Sequence, residues 1–281
     1  MKPLKISLAP LAHYWSKADT LRFYAEARHW PVDIVYLGEV VCSRRHLMQP
    51  QDWFALAQDL RAAGKQVVMA TLMRVDNDVD RYATEALVER AVADGLQLEA
   101  NCFGVIRAVR AMQGQSFVAG PSLNAHHEGI LAWLAMLGAS RFQPPPGLGL
   151  EALGALQQRR PAGMQTEVTV WGQVALEFNA HCFSARDGGA GRGVCDFRCK
   201  GDPQRLPPPT GRRGAGLPAA GENCFDMFAQ VPALRSLGVD IIRVQPQAQG
   251  MAALLKAFDG ARQPLRFGVE SISWMGQSSL H

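Results

Sequence analysis

The chain has 281 residues, of which 48% are apolar and 19% are charged, and its formal net charge is +4. A chain of this length and apolar content buries a large core without disulfide bonds, which excludes disordered, collagen-like and small disulfide-framework proteins. The mild positive charge is spread along the chain rather than gathered in one block. We therefore expect no nucleic-acid partner.

The sequence predicts neither a membrane-spanning segment nor an export signal. The longest nearly continuous apolar run, residues 129–139, is about half the roughly 20 residues that a spanning helix needs. The first ten residues lack a small-residue cleavage site after them and predict a first β-strand rather than a signal peptide. We expect a cytoplasmic protein, in which the six cysteines are metal ligands or buried thiols rather than disulfides.

Short strand-like runs alternate with helical stretches along the chain. This alternation predicts the α/β class, and eight strands favour a TIM-type (β/α)8 barrel, with some irregularity allowed, over a doubly wound sheet. The predicted strands are residues 4–9, 33–37, 66–71, 96–100, 116–119, 140–142, 167–171 and 240–244.

Two of the helical stretches carry clear signals. Residues 50–64 place apolar side chains at three- and four-residue spacing and end with Gly64 at a C-cap position. Residues 78–95 predict an amphipathic helix that ends at Gly95. Its apolar stripe consists of Tyr82, Ala83, Ala86 and Leu87.

One segment departs from the rest of the chain in composition. Residues 172–239 predict a large insertion between the seventh and eighth strands of a single barrel-like domain that spans residues 1–281. Within it, residues 201–221 contain five Pro and five Gly, which is typical of a flexible surface loop. The three cysteines between residues 182 and 199 precede this loop.

Those three cysteines, Cys182, Cys195 and Cys199, have the spacing C-x12-C-x3-C. On a helix the C-x3-C pair places both sulfurs on one face, so that they can share one metal centre. A thiolate-rich site of this kind suits zinc or an iron–sulfur cluster. Three further cysteines compete for the fourth ligand position, and spacing alone does not choose among Cys42, Cys102 and Cys224.

Three segments resemble members of the collagenase-like peptidase family that act in ubiquinone biosynthesis. The resemblance runs from the first strand to about residue 260, and its most specific feature is the cysteine after YLGE together with the three later cysteines. The segments are residues 36–45 (YLGEVVCSRR), 117–127 (FVAGPSLNAHH) and 181–200 (HCFSARDGGAGRGVCDFRCK). The resemblance implies that a [4Fe–4S] cluster is bound by four ligands, namely Cys42, Cys182, Cys195 and Cys199.

The resemblance also implies partners and a reaction. In these systems the chain forms a heterodimer with UbiU, a related cluster protein, and the pair hydroxylates prenylated phenolic precursors of ubiquinone without molecular oxygen. Prephenate is the implied hydroxyl donor, and the lipid-carrier protein UbiT is the implied accessory partner. The alternative is a non-catalytic binding module in which the four-cysteine site holds structural zinc.

The remaining candidate residues support separate predictions. The family's peptidases carry E-x-F-x-H-G before the first clustered cysteine, whereas residues 177–182 read EFNAHC, so we expect no peptidase activity. Glu39 follows the second strand, and both a site carboxylate and a solvated loop charge stay open for it. His126 and His127 are expected to be helix caps or surface residues.

Overall fold

The computed structural model describes residues 4–45, 47–112, 115–173 and 224–263. In these residues eight parallel strands close into a barrel, which confirms the predicted TIM-type fold. Going round the barrel, each strand pairs with the next along the chain, and the last barrel strand pairs with both the seventh and the first. The barrel strands are β1 (Lys5–Leu8), β2 (Ile34–Leu37), β3 (Gln66–Ala70), β4 (Gln97–Ala100), β5 (Phe117–Ala119), β6 (Ala139–Phe142), β7 (Gln165–Gln173) and β9 (Ile241–Val244).

Helices connect the strands around the barrel. They are α1 (Lys17–Ala27), α2 (Pro50–Ala62), α3 (Asp78–Ala93), α4 (Phe103–Ala111), α5 (Glu128–Met136), α6 (Leu150–Gln158), α7 (Val231–Ser236) and α8 (Met251–Ala261). The predicted C-cap glycine of α2 is confirmed, because Gly64 follows that helix with a φ of +81°. Ser16 caps the N-terminus of α1 by accepting the N–H of Asp19 at 3.1 Å. Within the described ranges, none of these helices is both long and apolar enough to cross a membrane.

The strands bury side chains on both faces, as parallel barrels require. In β2, Val35 and Leu37 pack outward into the large core beneath the helices, whereas Ile34 and Tyr36 belong to a smaller cluster inside the barrel. The same alternation runs along β3. The inner cluster is small, because charged and polar side chains take up much of the barrel interior.

The described ends of the segment between the seventh and last barrel strands contain regular structure. β7 runs on to Gln173, and the chain returns as β8 (Cys224–Asp226), which pairs antiparallel with the end of β7. A 3₁₀ turn at Phe228–Gln230 and then α7 lead into β9. The proline- and glycine-rich stretch and the three clustered cysteines lie outside the described residues.

A glycine at the end of β2 is required by the backbone. Gly38 has a φ of +126°, and a Cβ built there would lie 2.4 Å from the carbonyl oxygen of Ala70. We expect Gly38→Ala to lower the free energy of unfolding by about 3 kcal/mol, because the new methyl group meets rigid backbone of β3 and the φ is strained for an L-residue. Urea denaturation measures the loss.

Gly64→Ala is the matched control for this prediction. Gly64 also has a positive φ, but among the described residues, its own chain neighbours aside, no heavy atom lies within 4 Å of the place that a Cβ would take there. Its substitution should therefore cost only about 1 kcal/mol, from backbone strain alone. Equal losses in the two variants would show that the contact with Ala70 does not matter.

Candidate functional site

The turn that follows β2 holds Cys42, and we name residues 38–45 the Cys42 turn. The Glu39 carboxylate organises this turn by accepting the backbone N–H of Val41 at 3.0 Å and that of Cys42 at 3.1 Å. A 3₁₀ helix, Ser43–Arg45, completes the turn. Because these bonds tie the backbone N–H of the cysteine and that of the residue before it to one carboxylate, the turn positions the partly buried Cys42 at the carboxyl end of the barrel strands.

Arg45 ties the Cys42 turn to the loop after β1. Its side chain is only 8% exposed, its Nη1 donates to the carbonyl oxygen of Ala12 at 3.0 Å, and the same atom lies 3.6 Å from Glu39 Oε1. The Nε of Arg45 is buried and has no hydrogen-bond partner in the part of the chain that the structure describes. The turn thus presents one buried donor that the described residues leave unused.

Burial shifts the pKa of Glu39 in this turn and the pKa of His13 beside it. It raises the pKa of Glu39 above the usual carboxyl value, and the attraction of Arg45 and the backbone N–H groups offset part of that rise. Burial and the charge of Arg45 both lower the pKa of His13. Both effects favour the neutral form of the His13 imidazole. The Glu39 carboxylate is partly exposed but is engaged by two backbone N–H groups, so it is not a freely solvated loop charge.

The structure describes only some of the other cysteines that the sequence offers as ligands. Cys102 is the N-cap residue of α4 and follows β4, so it lies at the same end of the barrel as Cys42. Cys182, Cys195 and Cys199 lie outside the described residues. The segment that carries them leaves from Gln173 and returns at Cys224, whose backbone pairs with Gln173. Both attachment points are thus at the carboxyl end of the barrel, the end at which Cys42 lies.

Within the described ranges, no group of three or more His, Cys, Asp or Glu side chains is arranged to hold a metal ion. The two histidines of the sequence analysis have the expected structural positions. His127 is the N-cap of α5, and its Nδ1 accepts the N–H of Gly129 at 3.0 Å. The exposed His126 is bonded locally, with Nδ1 2.7 Å from the carbonyl oxygen of Asn124.

Sequence reasoning missed an ionic network inside the barrel. Two acidic and two basic side chains point inward from four different strands, and each is at most 6% exposed. Because their charges balance, these four groups carry no net charge. We call this set the interior network, and its charged members are Glu99 on β4, Arg141 on β6, Glu167 on β7 and Arg243 on β9.

Glu167 is the centre of the interior network. One of its oxygens, Oε1, accepts from Ser7 Oγ at 2.6 Å, and the other, Oε2, accepts from the Tyr36 hydroxyl at 2.5 Å. Arg141 Nη1 lies 3.2 Å from Oε2, and Arg243 Nη1 lies 3.4 Å from Oε1. Four strands besides β7 are thereby joined through a single carboxylate.

Glu99 forms the second half of the network. Its Oε1 accepts from Arg243 Nη1 at 3.1 Å and from Gln143 Nε2 at 2.9 Å. The guanidinium of Arg243 also stacks on the ring of Tyr36, 4.1 Å from its centroid. Burial and the nearby Glu167 raise the pKa of Tyr36 well above its usual value, so its hydroxyl stays protonated and donates.

Solved structures of other proteins share this barrel. A U32 peptidase matches with 11% identity over 88% of this chain and 93% of that one, at a TM-score of 0.53. A 3-hexulose-6-phosphate synthase matches with 17% identity over 92% and 99%, at 0.52. Tryptophan synthase from M. tuberculosis matches with 13% identity over 93% and 90%, at 0.51. At such identities the likeness shows the fold alone.

A family comparison is more specific than these structural likenesses. The family model described as peptidase family U32 matches residues 20–263, which run from α1 to just beyond α8. This match includes the Cys42 turn, the interior network and the segment that carries the clustered cysteines. It agrees with the resemblance to collagenase-like peptidases in the sequence. The chain belongs to peptidase family U32.

Proposed function

We propose that the chain is a UbiV-type [4Fe–4S] subunit that acts with UbiU in the oxygen-independent hydroxylation of ubiquinone precursors. Prephenate is the hydroxyl donor in this proposal, and UbiT delivers the prenylated phenolic substrate. The cluster ligands are Cys42, Cys182, Cys195 and Cys199. The proposal places the chain in the cytoplasm as one half of a heterodimer.

One observation of the structure supports the cluster most directly. Cys42 lies on a tightly bonded turn at the carboxyl end of the barrel, and the segment with the other three cysteines is attached at that same end. TIM-barrel enzymes place their reactive groups at this end. Four thiolates are also the donor set that an iron–sulfur cluster prefers. The donor chemistry and the attachment points are therefore compatible with one shared site.

The residues of the Cys42 turn have a definite part in this proposal. A bound cluster would supply one-electron transfer. Glu39 holds the backbone of the ligand residue by accepting its N–H, and Arg45 anchors the turn to Ala12. The turn thereby keeps Cys42 in place before the cluster is assembled. Proteolysis is not part of the proposal, because Cys182 replaces the glycine of the peptidase motif.

Growth with and without oxygen tests the proposed reaction. A strain that lacks this protein should lose ubiquinone only under anoxic growth, because oxygen-dependent hydroxylases cover the loss in air. Quinone content, measured after extraction, should be restored by the wild-type chain and not by Cys195→Ala. Equal quinone loss in both atmospheres, or full rescue by Cys195→Ala, would overturn the proposal.

A further inference from the structure

The helix α5 is apolar even on the side that faces away from the barrel. After Glu128, its first residue, the chain carries only apolar residues and glycine through residue 139. A surface helix ordinarily has polar side chains on its outer side, and a helix that is apolar all round is ordinarily buried. Four residues of α5 are nevertheless exposed, namely Gly129, Ala132, Trp133 and Met136. The outer side of α5 therefore has the composition of a surface that another molecule covers.

An aromatic side chain of α4 extends this apolar surface. Phe103 is 60% exposed, and its ring packs edge-to-face against that of Trp133 with 5.7 Å between the centroids. Met136, one turn further along α5, is 77% exposed. Adjacent exposed apolar side chains of this kind mark interaction sites. We name the surface the α4–α5 patch, and it consists of Phe103, Gly129, Ala132, Trp133 and Met136.

Two exposed arginines lie beside the α4–α5 patch. Arg107 and Arg110 follow Phe103 by four and seven residues, so the three side chains share one face of α4. Arg107 is 3.6 Å from a carboxylate oxygen of Glu85, and solvent reaches both side chains, so this ion pair is weak. The two arginines therefore favour a partner whose carboxylates face them.

A folded protein fits the α4–α5 patch better than a lipid surface does. Charges of both signs border the patch, because Glu85 lies beside Arg107 on one side and Glu128 pairs with Arg159 on the other. Anionic lipids attract basic side chains and repel acidic ones, so a lipid-binding surface is edged by basic residues. Tryptophan, phenylalanine, methionine and arginine are also the residue types that are enriched at protein–protein interfaces.

A second copy of the chain fits the patch poorly, because like charges would meet. In the barrel, α5 is flanked by α4 and α6. A twofold axis across α5 would place α4 against α4 of the other copy, so that the arginines oppose each other. An axis along α5 would place α4 against α6, and Arg110 would then approach Arg159, because both lie at the ends of their helices. A different chain with an acidic face avoids this repulsion.

We propose that the α4–α5 patch is the surface on which the second subunit of the proposed heterodimer docks. That subunit presents an apolar face to Trp133 and Met136. Its carboxylates lie opposite Arg107 and Arg110. The inference rests on the proposed function, which supplies UbiU as the partner. Because α4 begins at the carboxyl end of the barrel, the docked subunit borders the end at which the Cys42 turn lies.

Titration calorimetry with purified UbiU under anoxic conditions tests the docking surface. Met136→Glu and Trp133→Glu should each weaken binding at least tenfold, because each places a carboxylate in the apolar part of the interface. Phe228→Glu is the matched control. Phe228 is 40% exposed, against 43% for Trp133, and it too packs edge-to-face on a second ring, that of Phe258 at 5.2 Å. It lies outside the α4–α5 patch, so its variant should bind UbiU like the wild-type chain.

Charge reversal tests the acidic face of the partner. The double variant Arg107→Glu with Arg110→Glu should also weaken UbiU binding at least tenfold, because carboxylates then face carboxylates. Arg107→Gln with Arg110→Gln, which removes the charge without reversing it, should weaken binding less. Unchanged binding of the charge-reversed variant would overturn the assignment of an acidic partner face.

The possible failures of this proposal are distinguishable from one another. No UbiU binding by the wild-type chain would refute the heterodimer of the proposed function and the docking surface with it. Equal binding by Met136→Glu and Phe228→Glu would overturn the docking surface alone. Iron content should be the same in Met136→Glu and wild type, which excludes damage to the cluster as the cause of weaker binding.

Two further measurements identify a different occupant. In sedimentation of the chain alone, a dimer that Met136→Glu dissociates would assign the α4–α5 patch to a second copy. Binding to anionic phospholipid vesicles that is lost in Trp133→Glu would assign the patch to a lipid surface. Either result would overturn the proposal, whereas a monomer that does not bind vesicles supports it.

Discussion

Replacing Glu167 by Leu should lower the free energy of unfolding by about 3–5 kcal/mol. The carboxylate is completely buried and lies 3.2 Å from Arg141 and 3.4 Å from Arg243. Its removal leaves two buried guanidinium groups with only Glu99 to balance them, and the hydroxyl groups of Ser7 and Tyr36 lose their acceptor. Guanidinium chloride denaturation measures the loss, with a slope that stays unchanged if the fold is retained.

A double variant distinguishes the stability lost through the unpaired charge from the stability lost with the hydrogen bonds. Arg141→Met combined with Glu167→Leu leaves Arg243 and Glu99 as a balanced pair, 3.1 Å apart. We expect the double variant to be more stable than Glu167→Leu alone, because one unpaired charge has been removed from the interior. If the loss in free energy of unfolding of the double variant equals the sum of the losses of the two single variants, charge balance does not explain the stability of the network.

Glu128→Ala is the surface control for both variants. Glu128 pairs with Arg159 on the outside of the barrel, where the two side chains are 40% and 67% exposed. Water screens this pair and competes for its hydrogen bonds, so its loss should cost less than about 1 kcal/mol. A cost as large as that of Glu167→Leu would mean that burial is not the cause of the expected effect.

The barrel strands could be predicted from the sequence because most of them are short, largely apolar runs between turn signals. The predicted bounds of the first six strands and of the last differ from the observed ones by one residue at most at either end, whereas β7 is longer by two residues at each end. β8 could not be predicted, because its three residues pair with β7 across a long separation in sequence. Periodicity reports local structure and carries no information about such distant partners.

The interior network could have been suspected but not assembled from the sequence. Arg243 stands between Ile242 and Val244, and Glu99 between Leu98 and Ala100, in strands that a parallel barrel buries on both faces. A charge in such a strand must be paired. Which acid pairs with which base depends on the inward direction of each side chain and on closure of the barrel, and a single sequence shows neither.

The stripe of α3 shows a different limit of sequence reasoning. The helix and its end at Gly95 are confirmed, but Tyr82 is 63% exposed, and Ala83 and Ala86 line a cavity rather than the core. Helical periodicity identifies an apolar face and not what covers it. The role of Glu39 was equally open, because it depends on the direction of the backbone N–H groups in the turn after β2.

Replacing Cys42 by Ala should remove most of the iron from the chain. A [4Fe–4S] cluster is held by four thiolates, so anoxically purified wild-type protein should contain about four irons with matching sulfide, and loss of one ligand should leave the cluster labile. Cys42 is the one proposed ligand that the described residues place, and its turn is held by Glu39 and Arg45. Iron and sulfide assays and the visible absorbance of the cluster measure the effect.

Cys102→Ala is the matched control, because Cys102 is also partly buried and also lies at the carboxyl end of the barrel, yet it has no ligand counterpart in the resemblance. This variant should keep its iron. Iron loss in Cys102→Ala together with iron retention in Cys42→Ala would show that Cys102, and not Cys42, is the fourth ligand. Both cysteines are candidates because both lie at the end of the barrel where residues 174–223 are attached. Colourless wild-type protein with one zinc per chain would instead favour the structural zinc site, because four thiolates hold zinc as readily as they hold a cluster.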